Sequence, residues 1–402
     1  MNDIGSLGVI LLLALLAGHL VKWLRVPEVT GYLLAGILLG PSVTGWVGPD
    51  NLSALHALSE VALGLILFSI GTVFEFDHFR RMGRQLATIT VVESALTAAA
   101  VVAGARLVGL GWPSALLLGA LAIETAAAST LMVLRECNAK GPVTEVLTGV
   151  FALDNLVCLV AFNLVVAAIQ FSTHTGSSSL YALVETVGPL IWQIVGSAAL
   201  GYMVGFLLAA WSARVVEHGE RLILLAGCVL LCVGLADLLH LSPMVTNLAV
   251  GATVANLSER SRRFLESLSK TDPPLYAIFF VLAGADLNLS LLQSLGLAGG
   301  VYVAGRMAGK LAGSFLGAAV AGADKAVRLR LPTSMCAQAG LAIGLTLALR
   351  DSLPDLAPGI TAIVLSAVII FELIGPFGVR WSMIRAGEAQ PETEPAGEEI
   401  EV

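Results

Sequence analysis

Apolar residues fill long, nearly unbroken runs along this chain, and polar residues gather in short segments between them. The runs lie at about 4–24, 29–47, 57–75, 86–109, 113–135, 144–171, 187–212, 221–239, 242–257, 275–293, 296–320, 332–350 and 357–380. Crossing the hydrocarbon core of a bilayer takes roughly 20 apolar residues per helix. Most runs approach that length and are apolar on every face, with Gly, Ala and Ser interspersed, as expected of helices packed in lipid. The pattern predicts an all-α polytopic membrane protein with about 13 transmembrane helices. The first run, Ile4 to Leu24, has no basic leader and no small-residue cleavage site, so it reads as a first span and not as a removable signal. The longest connections, a Ser/Thr/Gly-rich stretch after the sixth run and the charged stretch from Ser258 to Pro274, are too short for a catalytic domain.

Composition sharpens this picture. Apolar residues make up 57% of the chain and charged residues 13%, against about 25% charged in a soluble protein. The net charge of −7 is concentrated at the C-terminus, where Glu388, Glu392, Glu394, Glu398, Glu399 and Glu401 lie in a Pro/Glu/Gly-rich segment. Residues 386–402 are therefore expected to form a solvated, disordered acidic tail. The 5 cysteines are scattered without metal-ligand spacing, and no nucleotide loop or nucleophile–base pair is visible. An enzyme, a resident cofactor and a nucleic-acid partner are all unexpected.

All but four of the 22 Lys and Arg residues fall in odd-numbered connections or after the last span. The exceptions are Arg106 and Arg350 on the other side, and Arg306 and Lys310 inside the eleventh span. This bias predicts a cell-membrane protein with its N-terminus outside and its C-terminus cytoplasmic.

A weak internal repeat accompanies the pattern. The third span, Leu67 to Phe76, parallels the tenth, Phe279 to Leu287. The second, from Gly31, parallels the ninth, from Met244. Pairing spans one to six with eight to thirteen leaves the seventh as a linker, and the odd offset makes the halves inverted. Inverted repeats are a common way to build alternating access.

Polar residues at bilayer depth are costly and usually mark ion or proton pathways. Asp154-Asn155 sits inside the sixth run. Glu124-Thr125 sits in the fifth, within a polar, small-residue interruption that has a counterpart around Gln338 in the twelfth. Such interruptions suggest either broken helices that offer free N–H and C=O groups to an ion, or ordinary small-residue packing. Arg306 and Lys310 share one helical face, and a buried Arg306 needs an anionic partner. Asp154, Glu124 and Glu372 are the candidate partners. Glu60, Asp237 and Asp286 lie near expected span ends and read as interfacial, as Glu93 also can.

The stretch from Arg25 to Pro41 resembles the R-x-P-x-x-x-G-Y-L-x-x-G-x-x-x-G-P opening of the monovalent cation:proton antiporters. Further matches are Glu60 to Gly71 with E-x-G-x-x-L-x-F-x-x-G, with substitutions, Phe279 to Gly284 with F-F-x-x-x-G, and Arg306 to Lys310 with R-x-x-G-K. The resemblance implies two inverted repeats with crossed, broken fifth and twelfth helices, and a homodimer in the lipid bilayer. It further implies an elevator-type exchange of a monovalent cation (Na⁺ or K⁺) for protons. The corresponding division is scaffold helices 1–85, core helices 86–171, a linker helix 187–212, scaffold helices 220–295, core helices 296–382 and the tail.

Family members usually place an ion-binding acid second in the pair on the sixth span, whereas this chain reads Asp154-Asn155. The resemblance also implies that Asp154 pairs with Arg306, which leaves the exchange carboxylate unassigned. Asp154 exchanges after releasing Arg306, or Glu124 serves instead, or transport is lost. The reading favoured by electrostatics is that Glu124 and Asp154 share the site, with Asn155 and Thr125 as neutral oxygen ligands to Na⁺ or K⁺ and Glu372, Lys310 and Gln338 in auxiliary positions. A transport-inactive sensor, or an anion carrier that uses Arg306, is the alternative.

Overall fold

The computed structural model describes residues 3–24, 26–72, 76–173, 188–189, 191–212, 214–215, 217–257, 272–293 and 296–389. The connection after the sixth span, most of Ser258–Pro274 and the tail beyond residue 389 lie outside the described residues. Among the described residues the regular structure is helical throughout.

The helices are α1 (Asp3–Trp23), α2 (Glu28–Leu39), α3 (Pro49–Gly71), α4 (Phe76–Leu107), α5 (Trp112–Leu121), α6 (Ala127–Glu136) and α7 (Pro142–Thr173). A π-helical turn (Trp192–Gly196) leads into α8 (Ser197–Ser212). There follow α9 (His218–Leu238), α10 (Pro243–Leu257), α11 (Asp272–Asp286), α12 (Ser290–Gln293), α13 (Gly296–Val320), α14 (Lys325–Ser334), α15 (Gly340–Ser352) and α16 (Ala357–Ala386). Spans such as Pro142–Ser172 and Ala357–Ala386 are each long and apolar enough to cross a membrane. α5 with α6, and α14 with α15, are half-length pairs. A helix of about ten residues rises about 15 Å, so two halves in series make one crossing.

The helices pack as two groups. α1, α2, α3 and α8 to α11 contact one another, as do α4 to α7 and α13 to α16. α2 and α3 also touch α6, and α2 touches α16, which forms a seam between the groups.

In the first group, two glycine crossings repeat the inverted relation between the halves. α2 meets α11 where a Cβ on Gly36 would lie 2.1 Å from the Val281 carbonyl oxygen and one on Gly284 would lie 2.3 Å from that of Leu33. α3 meets α10 in the same manner. A Cβ on Gly71 would lie 2.1 Å from the Leu248 oxygen, and one on Gly251 would lie 2.1 Å from that of Phe68. Exchanging the second span with the ninth and the third with the tenth turns one crossing into the other.

In the second group, Gly305, Gly309, Gly313 and Gly317 lie four apart on α13 and let its backbone press against α4. A Cβ on Gly309 would lie 2.5 Å from the Thr97 Cα, and one on Gly313 would lie 2.9 Å from the Glu93 Cα. This contact sets the depth of Arg306 and Lys310.

α16 ends at Gly387, whose φ of +74° is a left-handed cap. The chain then turns back on α7. Glu388 is buried and accepts hydrogen bonds from the Val143 N–H (2.7 Å), the Thr144 N–H (2.8 Å) and the Thr144 hydroxyl (2.7 Å). Two orphan N–H groups and a hydroxyl at the start of α7 thus find one carboxylate. Residues 386–389, expected to open the tail, are thus packed at the start of α7, and the rest of the expected tail lies outside the described residues.

Candidate functional site

The two broken spans cross where their non-helical segments meet, and the Ala126 N–H donates to the Ala337 carbonyl at 3.2 Å. At the crossing α5 and α14 end and α6 and α15 begin. The C-terminal ends present unpaired carbonyls with partial negative charge, and the N-terminal ends present partial positive charge.

The two basic side chains of α13 answer the carbonyls. Arg306 is fully buried and donates to the carbonyls of Cys336 (2.6 Å), Ala337 (2.9 Å) and Glu124 (2.6 Å). Its guanidinium also lies 4.3 Å from the centre of the Phe371 ring. Lys310, one turn on, donates to the Ile123 carbonyl and to the Thr125 hydroxyl (2.8 Å). It also forms buried ion pairs with Glu93 (2.9 Å) and Asp154 (3.2 Å).

The expected pair between Arg306 and Asp154 is therefore not the one formed. Asp154 meets Lys310 instead, and Arg306 serves backbone oxygens. The reason is geometric. The α4–α13 contact brings Lys310 level with Glu93 and Asp154, while the planar five-donor fork of Arg306 faces a row of carbonyls one turn away.

Glu93 also departs from expectation. It is fully buried, not interfacial, and it accepts from the Thr97 hydroxyl at 2.9 Å as well as from Lys310. The signal was present in the sequence as a carboxylate and a hydroxyl four apart inside an apolar run. Only the pairing of α4 with α13 shows what they face. Glu60, expected near a span end, instead lies within α3 and lines a cavity.

Asp154 Oδ2 accepts from the Thr125 hydroxyl at 2.5 Å, while its Oδ1 has no hydrogen-bond partner. The Asn155 amide donates to the carbonyls of Thr125 (3.1 Å) and Phe151 (2.9 Å), and its Oδ1 is likewise unpartnered. Asn155 lines a cavity of about 120 Å³ at the seam, with Leu67 of α3, Ala127 of α6, Leu248 of α10 and Leu341 of α15.

The structure brings Asp154, Asn155 and Thr125 together and turns the Glu124 carboxylate elsewhere. Glu124 accepts the Ala339 N–H at 3.1 Å, ahead of α15. Glu124 and Thr125 are adjacent in a non-helical segment, and their side chains serve different partners. Gln338 donates to the Leu121 carbonyl and to the Tyr302 hydroxyl, both at 2.9 Å, which ties the end of α5 to α13. Glu372 of α16 is 5% exposed, and its Oε2 has no partner.

In this interior Glu93, Asp154, Glu124 and Glu372 stand against the cations Lys310 and Arg306, and Arg306 is engaged by carbonyls. Buried charge without compensation is strongly unfavourable. Four carboxylates against two cations leave negative charge to be balanced if all are ionised.

Comparison with known proteins agrees with this architecture. The chain is 23% identical over 289 residues to the ammonium/H⁺ antiporter subunit AmhT of Alkalihalophilus pseudofirmus, covering 72% of this chain and 71% of that protein. It is 23% identical over 327 residues to the high-affinity Na⁺/H⁺ antiporter NhaS3 of Synechocystis, covering 72% and 69%. Among solved structures, the sodium proton antiporter MjNhaP1 of Methanocaldococcus jannaschii matches with a TM-score of 0.76 at 17% identity, over 98% of both chains. A structure of the same protein at pH 8 gives 0.69 at 18% identity over 96% of both. At these identities the structural likeness carries the fold alone. Residues 8–383 match the description "Sodium/hydrogen exchanger, transmembrane". The chain thus belongs to the sodium/hydrogen exchanger family, whose members are transporters and not enzymes.

Proposed function

We propose that this protein exchanges a monovalent cation, Na⁺ or K⁺, for protons, with Asp154 as the exchanging carboxylate and Asn155 and Thr125 as neutral ligands. The observation that carries this reading is the pair of unpartnered oxygens, Asp154 Oδ1 and Asn155 Oδ1, beside a lysine that already occupies Asp154 Oδ2. A cation entering the site finds two free oxygens on neighbouring residues. A proton on Asp154 removes the charge that holds both the cation and Lys310. Cation and proton therefore compete for one group, which is the requirement for exchange.

Glu124 is a poorer candidate for direct exchange, because its carboxylate is committed to the backbone ahead of α15. The anion-carrier reading loses support for a similar reason, since Arg306 already serves three carbonyls. The seam between the two helix groups holds two cavities, which favours an elevator motion of α4 to α7 and α13 to α16 past a scaffold. The exposed side chains of Leu12, Leu15, Leu16 and Leu20 on α1 suit lipid or a second copy, and we place a homodimer contact on the scaffold. The distribution of Lys and Arg supports a cell-membrane location with the C-terminus in the cytoplasm.

Purified protein in liposomes carrying a preset pH gradient tests the reading. Addition of Na⁺ or K⁺ is expected to dissipate the gradient, with an apparent KM that rises as the pH falls. Asp154→Asn is expected to abolish the response. Cation-dependent flux that survives in Asp154→Asn rules out Asp154 as the exchanging group.

A further inference from the structure

The larger seam cavity, about 360 Å³, has three carboxylates in its wall: Glu60 from α3, Asp286 from α11 and Glu372 from α16. No lysine, arginine or histidine is among its lining residues. A low-dielectric cleft lined by one sign of charge concentrates counter-ions. Its lining is distinct from that of the smaller cavity, which reaches Asn155. The two cavities therefore approach the helix crossing along separate routes.

Glu372 differs from the other two acids in being deeply buried, with an unpartnered oxygen. Its chain neighbour Phe371 carries the Arg306 guanidinium on its ring, yet the hydrogen bonds of Arg306 all go to carbonyls. One carboxylate oxygen thus has no hydrogen-bond partner, and the wall also includes the Ser59 hydroxyl and the Asn288 amide, whose Oδ1 accepts from the Ser290 N–H and hydroxyl. Carboxylate, amide and hydroxyl oxygens suit hard cations. Ala339 lies in the same wall, and its N–H is the group that holds the Glu124 carboxylate. The cavity therefore ends one residue from the acid at the crossing.

We propose that Glu372 is a second cation-binding carboxylate, a waiting site for a monovalent cation in the wall of this cavity and apart from Asp154. This deepens the antiport reading and rests on it for the identity of the ion. An ion bound here is drawn from the acidic cavity and held close to Glu124 before it passes between the helix groups.

Equilibrium binding of radiolabelled sodium and rubidium to the purified full-length protein tests the proposal without requiring flux. Asp154→Asn is expected to retain saturable binding of one of the two ions. Adding Glu372→Gln to that background is expected to weaken the binding at least about tenfold, the loss expected for one charge-assisted contact, whereas Glu372→Asp largely preserves it. Ala283→Phe, which fills the cavity and leaves every charge in place, is expected to weaken binding to a similar extent and guards against a folding defect in the glutamine variant. Absence of saturable binding in Asp154→Asn, or equal affinity with and without Glu372→Gln, overturns the proposal. Absence of flux in the wild-type protein overturns the antiport reading alone, so the two failures are separable.

Discussion

Lys310 is the residue on which the interior charges depend. Its ammonium joins Glu93, Asp154 and Thr125, so its removal leaves two buried carboxylates facing each other with no cation between them. Breaking a buried ion pair from one side costs about 3–5 kcal/mol. Lys310→Ala is accordingly expected to lower the midpoint of thermal unfolding in detergent, and Glu93→Gln in the same background to restore part of the loss. Asn155→Asp places a second acid beside Asp154 Oδ1. It is expected to raise the apparent affinity for the cation in liposome flux assays and to admit one more charge per cycle, read as sensitivity to an imposed membrane potential. The sequence already displayed Asp154, Asn155, Thr125 and the two bases of α13, because charged and amide groups stand out in apolar runs. It did not display their partners. Arg306 and Lys310 are equally good cations on paper, and choosing between them requires the depth set by the glycines of α13.

Those glycines carry the argument at the scale of elements. Replacing Gly309 with Leu inserts a side chain where even a Cβ would sit 2.5 Å from Thr97. Overpacking of this kind costs about 1–3 kcal/mol or more. Gly309→Leu is therefore expected to reduce thermal stability and also to abolish cation-dependent flux, since it shifts Lys310 away from Asp154. Helix number and order were legible from hydropathy, but helix ends were less so. The twelfth apolar run spans about 332–350, yet α14 begins at Lys325. The fourth began at 86, yet α4 begins at Phe76. Hydropathy marks the part of a helix that suits lipid, whereas the backbone continues through charged turns such as Arg328 and Arg330 at the interface. The breaks at residues 122–126 and 335–339 showed in the sequence only as small-residue, polar interruptions. What holds them open is the donors of Arg306 and Lys310, which stand nearly two hundred residues from the first break.

For the whole molecule, the seam between the helix groups decides what motion is possible. On one side it is fastened by a hydrogen-bonded chain. Lys22 pairs with Glu28 at 2.5 Å, and the Tyr32 hydroxyl donates to Glu28 at 2.9 Å. The Glu28 N–H donates to Glu136 at 2.9 Å, and Arg380 pairs with Glu136 at 2.8 Å. Glu136 ends α6 and Glu28 begins α2, so any sliding of the core past the scaffold has to release this contact. With the 5 native cysteines replaced, a short bifunctional crosslink between Glu28→Cys and Glu136→Cys is expected to stop flux, and cleaving the linker to restore it. Unaltered transport in the crosslinked protein excludes relative motion of the two groups at this point. The inverted repeat was visible in the sequence as two loosely similar pairs of spans. The matched glycine crossings at Gly36 with Gly284 and Gly71 with Gly251 give it a structural basis, because a close helix crossing tolerates no side chain at either position.

The return of the chain onto α7 gives its C-terminal end a mechanical role. Glu388 stands where a capping residue of α7 would stand, although it lies 245 residues beyond Val143 in sequence. Gly141 makes room for it, as a Cβ there would lie 2.5 Å from the Glu388 carboxyl carbon. The helix that carries Asp154 is thus clasped at its base by the turn that follows α16. A stop codon placed after Arg385 would discard no span, yet it would leave the start of α7 to fray.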